Sequence, residues 1–230
     1  AIRRYRVKRA LSENNAQLQR LSMNDPLTEL LNRRGIEKHL SYEISGARRE
    51  GSPLLVMLID LDDFKRINTR LGYSQGDTVL RGVAHLLRCN VRPADLIARI
   101  GGDEFVILLP QTRVAEGSLI AERIRRALWL YELPGGSGDA WRLSASIALG
   151  EVPDSAEALD DLLAGTSHAL AVAKHRGKDQ VLVNTDLWEA VPLKTHGKGG
   201  QPSSGQQTGF EPIYRLDTGQ HGVSGGIYRD

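Results

Sequence analysis

A chain of 230 residues, 40% hydrophobic and 25% charged, holds enough apolar material for one good core with flanking segments. Its net charge of +2 is small and its basic residues are scattered rather than gathered on one face, which argues against a binder of polymeric nucleic acid. The single cysteine, Cys89, excludes an internal disulfide, and no apolar run approaches the ~20 residues of a bilayer span.

In chain order, residues 1–24 read as a helical stalk. Val7, Leu11, Asn14, Leu18 and Leu21 follow the alternating four-and-three spacing of a heptad seam, which predicts a short parallel coiled coil and a homodimer, or a stripe that packs on its own domain. The chain opens at Ala1 on a basic cluster (Arg3, Arg4, Arg6, Lys8, Arg9). That cluster is either a solvated helix face or the cytoplasmic end of a removed membrane helix, so an upstream sensory or membrane domain is expected to be missing. The expected location is the cytoplasm, with the full-length protein anchored to the membrane if such a helix exists.

Residues 25–190 alternate helical and strand patterns, as an α/β or α+β domain should. A helix is expected over 32–50, then a buried strand over the wholly apolar run 54–59, ending at Asp60. Helices follow at 62–71 and 75–89, the second carrying Cys89 in an apolar run where it reads as a small buried hydrophobe. Strands at 96–100 and 104–109 flank Gly101 and Gly102 and predict a hairpin whose turn uses glycine's backbone freedom. A helix at 114–131, a strand at 143–149, two short helices ending at His175 and a strand at 181–183 complete the domain. Residues 191–230 turn to Gly, Ser, Gln and Thr, a flexible tail that buries too little to repay its ordering entropy.

The chemistry centres on two carboxylates. Asp60 stands at the end of the buried strand and Asp103 just after the glycines of the hairpin, where a sheet presents groups to a ligand. Two hard carboxylates brought together imply Mg2+, which shares its shell with phosphate oxygens; without a metal they repel. Taken singly, each also reads as a solvated turn former.

The run Arg99-Ile-Gly-Gly-Asp-Glu-Phe105 resembles the signature of GGDEF diguanylate cyclases. Other segments agree in order and spacing. Asp25-Pro-Leu-Thr-Glu-Leu-Leu-Asn-Arg-Arg34 is similar to the family's DxLTGLxNRR motif, and Asp60-Leu-Asp-Asp-Phe-Lys-Arg-Ile-Asn68 to DxDxFKxxND. Gly76-Asp77 resembles the end of GHxxGD, Ser146-Ile-Ala the SxG-like strand, and Ala173-Lys174 with Gly177-Lys178 the AKxxGR segment.

The resemblance implies a nucleotide-cyclase, polymerase-palm-like fold: a central, mainly antiparallel sheet flanked by helices, with an amino-terminal signalling helix. It implies condensation of two GTP into cyclic di-GMP at a homodimer interface. Mg2+, or Mn2+ in its place, is assigned to the carboxylates of Asp60 and Asp103 and the carbonyl of Leu61. Asp103, with Glu104, is implied to help deprotonate the attacking ribose hydroxyl, and Lys65, Lys174 and Lys178 to hold phosphates as cations. A lone lysine otherwise reads as solvent-facing.

Asn68 and Asp77 match guanine readers, and Asp suits the paired N1 and N2 hydrogens that adenine lacks. In isolation Asp77 reads equally as a helix N-cap before Thr78. Gly101 and Gly102, lacking Cβ atoms, would let backbone approach the α-phosphate and ribose. Arg92-Pro-Ala-Asp95 resembles the RxxD product-inhibition site, with Arg123 as a second part, while the plainer reading is a surface ion pair.

Departures from the family pattern are Thr69 for Asp, Tyr73 for His, Ser167 and Ala171 for Asp and Tyr, and Lys178 for Arg. The rival function is an inactive module that senses GTP or cyclic di-GMP, against which intact Asp60, Asp103 and Glu104 speak. A second rival makes a mixed purine cyclic dinucleotide, which Asp77 disfavours.

Overall fold

The computed structural model describes residues 23–133, 142–153, 156 and 158–184. Its frame is a six-stranded sheet in the order β1-β3-β4-β2-β5-β6, formed by β1 (Leu31–Asn32), β2 (Leu54–Leu61), β3 (Leu96–Arg99), β4 (Glu104–Pro110), β5 (Ala145–Glu151) and β6 (Val181–Asn184). The central pairings β2–β4, β2–β5 and β3–β4 are antiparallel, and only the outer pairs β1–β3 and β5–β6 are parallel. The helices are α1 (Arg33–Glu50), α2 (Phe64–Leu71), α3 (Tyr73–Asn90), α4 (Val114–Trp129) and α5 (Leu159–His175).

Strand β2 shows why an unbroken apolar run marks a central strand. Side chains alternate across a sheet, so a strand covered on both faces has no polar position to spare. Leu55, Met57, Ile59 and Leu61 pack with Val79, Val83 and Leu87 of α3 and with Ile124 and Leu128 of α4. Leu54, Val56 and Leu58 pack on the other face with Ile36, Leu40 and Ile44 of α1 and Leu159, Leu162 and Leu170 of α5. All eight residues of β2 are buried, including Asp60.

Helix α1 starts where the Asn32 carboxamide accepts from the Gly35 N–H at 2.8 Å, and it ends at Gly51, whose φ of 60° is a left-handed cap. Helix α5 is one continuous element where two short helices were expected. The weak helix formers Gly165-Thr166-Ser167 are carried through because Gly165 and Thr166 are buried and the Thr166 hydroxyl donates to the Leu162 carbonyl at 3.0 Å. Helix α3 begins at Tyr73, so Asp77 lies inside it and not at an N-cap. Cys89 is exposed rather than buried, because it sits on the opposite side of α3 from Val83 and Leu87. The glycines of the β3–β4 turn are absent from the residues with positive φ, so the turn does not draw on the left-handed freedom expected of Gly101 and Gly102.

The stalk seam over residues 1–22 and the tail over 191–230 lie outside the described residues. Among the described residues, no helix is long and apolar enough to cross a membrane.

Candidate active site

Asp60 ends the useful length of β2, opposite Glu104 on β4 and Ser146 on β5. One residue on, the Leu61 N–H donates to the Asp103 carbonyl at 3.2 Å, which ties the hairpin turn to the strand end. Asp60, Leu61, Asp103 and Glu104 therefore converge at one end of the sheet. Asp60 is only 6% exposed, and its two oxygens differ. Oδ2 lies 2.5 Å from the Lys174 ammonium of α5, while Oδ1 is buried without a hydrogen-bond partner. Burial pushes the Asp60 carboxyl above the usual carboxylate range; Lys174 pulls against that, and Asp103 and Glu104 push with it.

An orphaned buried carboxylate oxygen beside two further carboxylates fits a hard cation. Among the described residues, no three His, Cys, Asp or Glu side chains form a closed cage. The candidate set is thus the Asp60 and Asp103 carboxylates and a backbone carbonyl at Leu61.

Asp62 carries a second cluster that the sequence reading did not assign. Its buried carboxylate accepts from the hydroxyls of Ser144 at 2.9 Å and Ser146 at 2.7 Å, and from the Asp179 N–H at 3.0 Å. Asp62 so pins the start of β5 and the α5–β6 loop to the end of β2. From that loop Lys178 places Nζ 2.7 Å from Asp63 Oδ1, and this bond holds the Asp63 carboxyl below its ordinary pKa. Lys174 and Lys178 are therefore both brought to the β2–α2 corner. Lys65 is exposed on the first turn of α2.

At the α2–α3 junction, Asn68 rests against Gly76, the residue before Asp77. A Cβ on Gly76 would lie 1.8 Å from Asn68 Oδ1, so the missing side chain is what lets the carboxamide rest on α3. Asp77 is exposed. Over the hairpin, a Cβ on Gly101 would meet Glu104 Oε2 at 2.6 Å, whereas one on Gly102 would meet open space. Arg99 donates to the Gly102 carbonyl from Nε at 3.1 Å and Nη2 at 2.7 Å, and its Nη1 reaches Asp25 Oδ1 at 3.1 Å.

Arg92 and Asp95 precede β3, whose four residues carry the chain roughly 13 Å to the hairpin turn, so they lie at the other end of the sheet. The Arg92 guanidinium is half exposed and donates to Thr112 Oγ1 at 2.6 Å. Asp95 is turned inward: Oδ2 accepts from the Arg92 N–H at 2.8 Å, and its side chain is fully buried. It braces the turn from inside, while Oδ1 is buried without a hydrogen-bond partner, 3.7 Å from Arg92 Nε. Arg123 of α4 donates to the Asn90 carbonyl at 2.6 Å, at the carboxyl end of α3 and close in sequence to Arg92.

A mainly antiparallel sheet with helices on both faces, carboxylates at the end of its central strand and on the adjoining hairpin, defines a palm-like nucleotide-cyclase fold. The chain belongs to the GGDEF domain family: residues 22–180 match the family model described as "Diguanylate cyclase, GGDEF domain". It is similar to diguanylate cyclase DosC of Escherichia coli, 39% identical over 72% of this chain and 35% of that protein. It is also similar to diguanylate cyclase DgcP of Pseudomonas aeruginosa, 38% identical over 70% of this chain and 24% of that one. The chain spans about a third or less of the length of these relatives.

Among solved structures it matches diguanylate cyclase SiaD of Pseudomonas aeruginosa in complex with its activator SiaC (TM-score 0.66, 31% identity, 77% of this chain and 68% of that one). It also matches the coiled coil and GGDEF domain of DgcB of Caulobacter crescentus in complex with c-di-GMP (TM-score 0.66, 26% identity, 78% and 94%).

Proposed function

We propose that this chain is a diguanylate cyclase, condensing two GTP into cyclic di-GMP and two pyrophosphates. The observation that carries this is the pairing of a buried, half-unpartnered Asp60 with Asp103 and Glu104 at the open end of β2. Asp60, Asp103 and the Leu61 carbonyl would hold Mg2+, or Mn2+ in its place. When bound, that ion supplies charge neutralisation for the phosphates and the developing transition state.

The chain's own residues orient the substrate. Lys65, Lys174 and Lys178 hold phosphate oxygens as cations, with Lys174 and Lys178 exchanging Asp60 and Asp63 for them. Gly102, with open space where a Cβ would stand, admits the ribose and α-phosphate. Asn68 and Asp77 read guanine, and the position of Asp77 within α3 supports this, because an N-cap role no longer accounts for it. Asp103, with Glu104, takes the proton of the ribose 3′-hydroxyl. The 3′-oxygen then bonds to the α-phosphorus of the second GTP, and the bond to the β-phosphate oxygen breaks, releasing pyrophosphate.

With one GTP per chain, forming two phosphodiester bonds calls for two copies face to face, a geometry that the seam over residues 1–22 would favour. Arg92, with Arg123 bonded to the Asn90 carbonyl two residues earlier, would bind the product and give feedback inhibition, Asp95 acting by holding the turn.

The test is incubation of the purified chain with GTP and Mg2+ beside Asp103→Asn, with products separated by chromatography and mass. Cyclic di-GMP from the parent chain alone supports the cyclase. No product from either, at high protein concentration and after bound nucleotide is stripped, leaves a module that binds GTP or cyclic di-GMP without turnover.

A further inference from the structure

The loop between α5 and β6 holds an unusual piece of backbone. Gly177, Lys178 and Asp179 have φ of 111°, 65° and 44°, three consecutive residues in the left-handed region of which two are not glycine. Such residues persist only where the surroundings over-determine them, and they gather at functional sites. The Lys178 N–H donates to the Ala173 carbonyl at 3.1 Å and its carbonyl accepts from Gln180 Nε2 at 3.3 Å, and two further contacts hold Asp179. Its N–H donates to Asp62 Oδ2 at 3.0 Å, and its carboxylate accepts from Arg125 Nη1 of α4 at 2.8 Å.

Arg125 is itself well fixed. Its side chain is 19% exposed, and Nε also binds Glu122 Oε2 at 3.1 Å, one turn earlier on the same helix. The guanidinium therefore bridges a rigid helix to the strained loop, with the charge-assisted bonds that suit arginine better than lysine. The consequence falls on the preceding residue. With Asp179 held, the Lys178 ammonium is returned to the β2–α2 corner, 2.7 Å from Asp63 and beside the Lys174–Asp60 pair.

We propose that Arg125 is a positioning residue for nucleotide binding: by clamping Asp179 it fixes the left-handed backbone that aims Lys178 at the phosphates, an inference that rests on the assignment of Lys178 above. Arg125 bears no charge toward the nucleotide in this role, and it acts through Lys178 alone. Its effect must then disappear when Lys178 is gone, which a general packing role would not require.

The experiment titrates the whole chain by calorimetry with a GTP analogue carrying a methylene between its α- and β-phosphorus atoms, which cannot release pyrophosphate. The parent chain is compared with Lys178→Met, Arg125→Met, Arg125→Lys and the double variant Lys178→Met/Arg125→Met. Loss of one charge-assisted contact corresponds to an affinity about 10-fold weaker for Lys178→Met. Arg125→Met is expected to weaken binding comparably, Arg125→Lys to restore part of it, and the double variant to be no weaker than Lys178→Met. Should Arg125→Met fail to fold, Asp179→Asn takes the charge out of the same clamp while keeping the Asp179 N–H bond to Asp62, and a partial loss of binding that vanishes without Lys178 is read the same way.

A silent Arg125→Met beside an effective Lys178→Met, or additive losses in the double variant, overturns the positioning role and leaves the cyclase assignment standing. A silent Lys178→Met, or no binding by the parent chain, overturns the assignment of the phosphate site and this inference with it.

Discussion

The Lys174 ammonium sits 2.5 Å from Asp60 Oδ2, while the other oxygen of the same carboxylate is buried with no hydrogen bond. Asp60 is thus only half compensated. A buried charge short of partners costs stability. Asp60→Asn removes the charge at nearly constant volume, and Lys174, whose side chain is 39% exposed, can turn to water. The variant is expected to make no cyclic di-GMP yet to melt at or above the parent chain at pH 7, the gain being up to about 1 kcal/mol. Calorimetric melting of both chains checks this; a melting point lowered by roughly 4 °C or more would mean the ion pair is net stabilising.

Gly76 offers a test of the base-reading corner that barely touches stability. An added Cβ would fall 1.8 Å from Asn68 Oδ1, and the flexible carboxamide rather than backbone would have to yield. Gly76→Ala also favours helix by about 1 kcal/mol, so the fold should tolerate it. Displacing Asn68 should instead raise KM for GTP by about 10-fold through one lost hydrogen bond to the base. Steady-state kinetics with GTP and ITP would check it. ITP lacks the 2-amino group, and the ratio between the two substrates should narrow if the corner reads that edge.

Asp25 gives a pH dependence of known sign. Burial works to raise its carboxyl pKa, but bonds from the Thr28 hydroxyl and N–H and from Arg99 outweigh it, and the result lies below the ordinary value. A depressed folded pKa means stability that is present above the unfolded pKa and lost as pH falls through the folded one. The parent chain should therefore lose stability progressively below about pH 4. Asp25→Asn should start less stable at pH 7, by about 1–2 kcal/mol, and fall less steeply. Urea denaturation between pH 7 and pH 3 would check both slopes. Because Arg99 also holds the Gly102 carbonyl, the variant should lose activity along with stability.

The parts of the fold legible in the sequence are those with a local signal. The apolar run of β2, the helical periodicity of α1 and α4 and the two strands flanking the hairpin glycines all found their places within a few residues. Asp60 and Asp103, which singly read equally as turn formers, are legible through the run Arg99–Phe105 and its agreement with the motif that begins at Asp60. What stayed hidden depends on partners far along the chain. Asp62 meets Ser144 across 82 residues, and Arg125 meets Asp179 across 54, and neither pairing leaves a periodicity to detect. Strand β1 has two residues and exists through its pairing with β3. Cys89 has apolar neighbours in sequence but lies off the apolar face, as the register of Val79, Val83 and Leu87 requires.

Arg92 and Asp95, adjoining in motif, should separate cleanly on mutation. The Arg92 side chain is 57% exposed, but its Nε lies 3.7 Å from Oδ1 of the fully buried Asp95, so removing the guanidinium leaves that carboxylate without its nearest cation. Asp95 is buried and braces the turn through the Arg92 N–H at 2.8 Å, so Asp95→Ala should cost about 1–2 kcal/mol whether or not product binds there. Arg92→Ala is expected to keep the initial rate while abolishing inhibition by added cyclic di-GMP, and Arg92→Lys, which keeps a cation beside Asp95, to hold the melting temperature. Asp95→Ala is expected to lose both stability and inhibition, because the turn that presents Arg92 loosens. Progress curves with and without added product, alongside melting curves, separate the two. If Arg92→Ala stays as inhibitable as the parent chain, the feedback site lies elsewhere, and the bond from Arg92 to Thr112 is then simply a tie between the ends of α3 and β4.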